Sequence, residues 1–258
     1  MNSISRITRV ICLPLILGLL AAPAFAQQEE DAAERESRSQ KTKQAQAVSK
    51  EVYERIEKAQ EMVDAKDYAG ALRSLNSLYN PDKLTEYEQS NVLNYIGFVY
   101  YNMDDIANAM RTYEKMLAIP SLEETLRKNT TYTLAQLYTM QEEYNKALTT
   151  LDKWFLLETN PRPDAFILKA QNLYQVNRYA DMIEPIENAM RVAEERETEI
   201  KEDWYVLLNF AYFQQEDYRK VRDIQKIMLV NWPKKRYWFS LAGAYTELGE
   251  DENLINAY

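Results

Sequence analysis

The feature that most constrains this chain is one apolar position that returns six times in the same surroundings. Ala71, Ala109, Ala147, Met182, Val221 and Leu254 each follow a short polar turn, at intervals of 38, 38, 35, 39 and 33 residues. The turns read Lys66-Asp67-Tyr68, Asp104-Asp105-Ile106, Glu142-Glu143-Tyr144, Asn177-Arg178-Tyr179, Glu216-Asp217-Tyr218 and Gly249-Glu250-Asp251. Ahead of each turn, large, large, small and aromatic residues fall at i, i+3, i+4 and i+7, which places them on one face of a helix. In the second unit these are Leu93, Ile96, Gly97 and Tyr100, in the third Thr131, Leu134, Ala135 and Tyr138, and in the last Trp238, Leu241, Ala242 and Tyr245. The fourth unit carries Lys169 and Leu173 at two of the positions, and the fifth puts Asn209 at the small one. The first is weakest, with Arg55, Lys58, Ala59 and Met62. A unit of this size cannot bury its apolar face alone, so recurrence in register means units stacked on one another.

The stretch from Leu93 to Pro120, LNYIGFVYYNMDDIANAMRTYEKMLAIP, resembles a tetratricopeptide repeat (TPR), two antiparallel helices that approach closely where small residues meet, here Gly97 and Ala109. The resemblance implies an all-α, right-handed TPR superhelix, an α-solenoid of about six helix-turn-helix repeats over residues 48–258. Tyr258 falls in the middle of a second helix, so the last repeat is expected to be truncated. The standard TPR period is 34 residues, and the longer intervals exceed it by about one helical turn, which lengthens a helix without rotating its buried face. Only five glycines and eight prolines in 258 residues agree with helix throughout. Thr85-x-x-Glu88 and Ser121-x-x-Glu124 both fit a capping box. Pro81, Pro120, Pro161, Pro163 and Pro233 fall between units, whereas Pro185 lies inside a second helix and should delay or kink it.

The first 26 residues have the composition of a cleaved export signal. Arg6 and Arg9 precede an apolar run from Val10 to Leu20, and Ala24-Phe25-Ala26 supplies the small-residue site, so cleavage after Ala26 and a periplasmic product are expected. Cys12 lies inside the apolar run, so the protein is not expected to be lipid-anchored. Residues 27–47 have alanine as their only apolar side chain and read as a flexible polar leader. The net charge of −9 becomes more negative once the two arginines of the signal are removed. Such a chain repels phosphate backbones, so nucleic acid is not an expected partner.

Catalytic chemistry has little to work with. The chain has no histidine and a single cysteine, which the signal removes, so histidine bases, thiolate nucleophiles and His or Cys metal sites are excluded. None of the glycines forms a phosphate-binding loop. The carboxylates, for example Glu194, Glu195, Glu197 and Glu199, read as a solvated acidic surface. The expectation is a non-enzyme with no cofactor, no metal and no small-molecule substrate.

Binding residues come with the resemblance. In a TPR superhelix the first helices line the concave face, and the groove positions carry over as Asn94, Phe98 and Tyr101 in repeat two and Tyr132 and Gln136 in repeat three. Repeat four adds Ile167, Gln171 and Tyr174, repeat five Phe210 and Phe213, and repeat six Phe239. Rings interleaved with amides suit an extended peptide, because rings supply contact area at low entropic cost and amides pair with its backbone. The alternative for the same rings is packing against neighbouring helices in a tight superhelix. The lysines, arginines and asparagines with which some TPR domains hold a chaperone's terminal carboxylate are mostly replaced by aromatics here.

Near the end the resemblance narrows. LDKWF (Leu151 to Phe155), ETNPRPDAFILKAQ (Glu158 to Gln171) and WPKKRYWFSLAGAYTELGEDENL (Trp232 to Leu254) are similar to Gram-negative TPR proteins described as components of the TonB energy-transduction system. That implies a periplasmic, non-enzymatic interaction scaffold serving TonB-type outer-membrane uptake, with a protein or extended peptide segment, possibly a TonB-complex component, as partner. The alternative is a TPR scaffold in envelope assembly or periplasmic protein quality control.

Overall fold

The computed structural model describes residues 48–250, and every regular element among them is helical. The first pair is α1 (Lys50–Asp64) and α2 (Tyr68–Leu78). It is followed by α3 (Glu86–Asn102) with α4 (Ile106–Leu117), and α5 (Glu124–Met140) with α6 (Tyr144–Leu157). Next come α7 (Pro163–Gln175) with α8 (Ile183–Glu195), α9 (Glu202–Gln214) with α10 (Tyr218–Asn231), and the unpaired first helix α11 (Lys235–Leu248). This is a helical solenoid of repeats. The export signal, its cleavage site, the polar leader and the second helix of the last repeat fall in residues 1–47 and 251–258, outside the described residues.

The repeat register has an independent marker in the backbone. One residue in each turn between first and second helix adopts a left-handed conformation: Lys66, Asp104, Glu142, Asn177, Glu216 and Gly249, with φ of 61°, 59°, 59°, 60°, 57° and 67°. Their intervals are the same 38, 38, 35, 39 and 33 residues that separate the aligned apolar positions. A left-handed residue reverses the chain in the fewest steps, and the following carboxylate then starts the next helix. Asp67, Asp105 and Asp217 accept hydrogen bonds from the backbone N–H of Gly70, Asn108 and Lys220 respectively. Only Gly249 takes this conformation without steric strain, and five of the six turns carry a side chain there.

Packing follows the register. The aligned residues Ala71, Ala109, Ala147, Met182 and Val221 are all fully buried, as are the facing small residues Ala59, Ala135 and Ala170. Adjacent repeats are also tied by polar contacts at equivalent places. The Tyr138 hydroxyl donates to the Glu114 carboxylate, and the Tyr212 hydroxyl donates to Glu187 at 2.7 Å. Burial and the neighbouring carboxylate both raise these two phenols above their ordinary pKa, so they remain donors throughout the physiological range. Arg127 reaches back to the carbonyls of Leu117 (3.1 Å) and Ile119 (2.9 Å), satisfying acceptors at the end of α4 that have no intrahelical donor.

The caps divide the expectations. Thr85 and Glu88 form the capping box at the start of α3. Ser121 does not cap α5: its backbone N–H and hydroxyl both donate to Glu86 of the preceding repeat, and Glu123 is the cap instead, accepting from Thr125 N at 2.9 Å and Leu126 N at 2.8 Å. A local serine–glutamate pattern could not show that a carboxylate 35 residues earlier competes for the serine. Pro185 delays its helix as expected, with a 3-10 turn over Ala180–Met182 before α8 begins at Ile183.

Asn209 is the position where the pattern is broken at a cost. Its side-chain carbonyl is buried with no hydrogen-bond partner among the described residues, and the same holds for Gln225 on the paired helix. Alanine or glycine stands at the equivalent site in four other repeats: Ala59, Gly97, Ala135 and Ala242. Asn209→Ala removes an unpaired buried acceptor and adds helix propensity, so unfolding in urea should show a gain of about 1 kcal/mol. A loss of stability would mean that the oxygen is paired in solution.

Glu202, in the first turn of α9, gathers donors from the start of α11: Lys234 Nζ at 2.6 Å, Arg236 Nη2 at 2.9 Å and the Tyr237 hydroxyl. These bonds, Lys234 first, hold its carboxyl down at about 2. A depressed carboxylate contributes stability that is present above its unfolded pKa and is lost as pH falls through the folded one, here between about 4.5 and about 2. Thermal unfolding measured from pH 6 to pH 2 should therefore show a shallower acid decline in Glu202→Gln than in the parent chain.

Candidate partner-binding surface

The first helices of neighbouring repeats touch directly. Tyr174 on α7 meets Phe210 on α9 edge-on, with ring centroids 5.2 Å apart, and Asn172 on α7 donates to Thr139 Oγ1 on α5 at 2.9 Å. Side chains at corresponding points on these helices therefore form a continuous row rather than isolated spots.

The expected groove residues divide by exposure. Phe98, Phe213 and Phe239 present 39%, 50% and 57% of their surface to solvent, which is unusual for rings of this size. Asn94, Tyr101, Gln136 and Gln171 are half-buried. Tyr101 also packs against the core cluster of repeats two and three, and Phe213 lies 6.0 Å from Tyr218. Tyr174 and Phe210 form a three-ring cluster with Tyr179, which lies 5.1 Å from Phe210 and 5.9 Å from Tyr174. Half of each of those rings is thus committed to its neighbours, as the packing alternative holds. Ile167 is a correction: at 6% exposure it belongs to the core and offers nothing to a ligand. Repeat four lacks the lengthened first helix of repeats two and three, because Pro163 starts α7 late, and Ile167 sits only one turn in.

Tyr132 has the richest surroundings. Its ring packs at 4.7 Å on Trp154, and the aromatic line continues through Phe155 (5.1 Å) to Phe166 (4.9 Å). Beside it opens a cleft of about 400 Å3, within the range that admits a ligand side chain, walled by Asn129, Thr133, Trp154, Asn160 and Arg162. Glu158 at its edge is paired with Lys128 at 2.9 Å, and Arg162 has no ion-pair partner among the described residues. Burial raises the Tyr132 phenol above its usual pKa and Arg162 partly offsets this, so the hydroxyl is a neutral donor facing the cleft at physiological pH. Trp154, Asn129, Thr133, Asn160 and Arg162 were not among the expected site residues. Trp154 belongs to a second helix and Asn160 and Arg162 to the loop after it, so reading first helices alone passes them by.

Among the described residues there is no group of three or more acidic, cysteine or histidine side chains able to hold a metal ion, and no helix is long and apolar enough to cross a membrane.

Comparison with known proteins gives the same architecture. The family model described as "Anaphase-promoting complex, cyclosome, subunit 3" matches residues 102–189. A tetratricopeptide repeat protein from Parabacteroides merdae is similar over 81% of this chain and 78% of its own, at 17% identity and a TM-score of 0.54. A MamA fragment from Desulfovibrio magneticus is similar over 73% of this chain and 99% of its own, at 15% identity and a TM-score of 0.54. A further MamA structure covers 65% of this chain and 87% of its own, at 18% identity and a TM-score of 0.52. No curated protein gives a significant sequence match. The chain is a TPR-type repeat protein, a class of helical scaffold whose general business is binding other proteins.

Proposed function

We propose that this protein is a non-enzymatic periplasmic scaffold that holds an extended segment of a TonB-system protein along its first-helix row and so serves TonB-type outer-membrane uptake. The observation that carries the binding part is the row itself. Aromatic rings with 39–57% of their surface exposed alternate with half-buried amides on consecutive first helices, and a cleft beside Tyr132 can seat one side chain deeply. Isolated exposed apolar residues are ordinary, but exposed rings aligned on a repeat scaffold are what a peptide partner uses as anchors. The export signal supports the compartment, and the phrases at Leu151 to Phe155, Glu158 to Gln171 and Trp232 to Leu254 support the TonB assignment.

Binding works here without chemistry. The scaffold presents the row pre-formed, so a flexible partner loses entropy on docking and the protein loses little. Energy concentrates where a ring is backed by rigid neighbours, and Tyr132 on Trp154 is the best-backed ring in the row. Tyr132→Ala should weaken partner binding by about 1 to 3 kcal/mol.

A deletion strain should lose uptake of TonB-dependent nutrients while its envelope stays intact, and pull-down with the purified protein should recover a TonB-complex component. Mass spectrometry of that protein should find Gln27 at its N-terminus. Recovery of outer-membrane assembly factors alone, unaffected by Tyr132→Ala, would replace the proposed role with one in envelope assembly.

A further inference from the structure

We propose that the segment held by the first-helix row is uncharged and proline-rich, and docks as a polyproline II helix. The inference rests on the partner-binding reading above and names the chemistry of its ligand.

Charge comes first. Residues of the charged types make up 28% of the chain, yet none of the row positions carried over in repeats two to six is charged. A ligand with charges along its length would have to leave water with no counter-charge to meet them, which is costly at a partly buried site. An acidic ligand would also approach a protein of net charge −9.

The polar atoms then separate the backbone types. Tyr101, Tyr132 and Tyr174 offer phenol donors, Gln136 and Gln171 offer amide N–H groups, and the cleft beside Tyr132 adds the donor-only guanidinium of Arg162. A helical ligand satisfies its own backbone and would leave these groups unused. A ligand strand needs the edge of a sheet, and the described residues form none. A polyproline II helix has no internal hydrogen bonds, and prolines carry carbonyl acceptors without N–H donors, so its backbone asks for what the row supplies.

The period fits as well. Helices packed side by side lie about 8 to 10 Å apart, and the direct Tyr174–Phe210 contact at 5.2 Å shows that neighbouring first helices pack in this way. One polyproline turn of three residues rises about 9.3 Å. Each repeat therefore meets the same face of the ligand, and a proline ring can lie on the exposed faces of Phe98, Phe213 and Phe239 in turn. The ligand is already extended before it binds, which lowers the entropic cost of docking.

The test is titration of the protein with a blocked, uncharged 15-residue peptide of repeating Pro-Pro-Ala, followed by isothermal calorimetry, beside a peptide of equal length with glycine and serine in place of proline. The proline peptide should bind saturably and at least about tenfold more tightly than the flexible one, and Phe98→Ala and Tyr132→Ala should each weaken it by about tenfold. Phe98 is exposed enough to be changed without unfolding the repeat, and thermal unfolding of each variant checks this. Equal binding of both peptides, or no effect of either variant, overturns the proposal. If neither peptide binds while a photoreactive residue at position 98 cross-links a protein segment that lacks proline, the ligand chemistry falls and the scaffold reading stands. If position 98 cross-links nothing and neither peptide binds, both fall.

Discussion

Replacing Gly97 with leucine should destabilise the second repeat by about 1 to 3 kcal/mol or more, the range for overpacking a close-packed interior. A side chain built at Gly97 meets the ring of Tyr113 on the paired helix, with its first carbon only 2.7 Å from two ring atoms. Tyr113 has nowhere to go. It is 6% exposed, sits in the cluster that includes Met110 and Met116, and is buried deeply enough for its phenol to be pushed up to about 12. The helices α3 and α4 must therefore separate, and because each repeat stacks only on its neighbours the damage should stay local. Amide exchange should show faster opening in α3 and α4, with α9 and α10 unchanged, and urea unfolding should report the lost stability. Unchanged unfolding would mean that the two helices do not meet at Gly97.

A larger loss, about 3 to 5 kcal/mol, is expected for Trp154→Ala, in the range for removing a buried large aromatic. Trp154 is nearly buried at the junction of repeats three and four, where its ring supports Tyr132 on one side and Phe155 on the other. Its removal leaves a void that the helices cannot close without moving Tyr132, and it takes away one wall of the cleft. Stability and partner binding should therefore fall together. Trp154→Phe, which keeps a ring in place, should recover most of the stability and part of the binding. A loss below about 1 kcal/mol in the alanine variant would show that the junction is not packed as described.

Much of the architecture was legible because it repeats. A single helix boundary is weakly marked, but six turns in register fix one another, and the intervals between Ala71 and Leu254 reappear in the left-handed backbone of Lys66 to Gly249. Gly97 was readable as a site of close approach, whereas its partner Tyr113 was not, since nothing local says which ring of the next helix will lie over it. Ser121 shows the same limit from the polar side: it fitted a capping box, and a carboxylate from the preceding repeat took it instead. The candidate site was legible only as a list of positions on first helices. Spacing could say which way Tyr132 and Phe210 point, but not that Trp154 backs one while Tyr174 and Tyr179 enclose the other. Ile167 failed for a related reason, because the late start of α7 at Pro163 changes what surrounds its first turn.

The central claim is that a partner segment lies along the first-helix row, and cross-linking from single positions in living cells tests it most directly. A photoreactive phenylalanine analogue placed at Phe98, Phe213 or Phe239 should each time capture the same protein, through neighbouring parts of one segment. The same analogue at Leu156 or Val230, second-helix residues that are 87% and 83% exposed, should capture nothing specific. Capture of one defined partner from positions 156 and 230, with positions 98, 213 and 239 silent, would contradict the account and move the binding surface to the second helices.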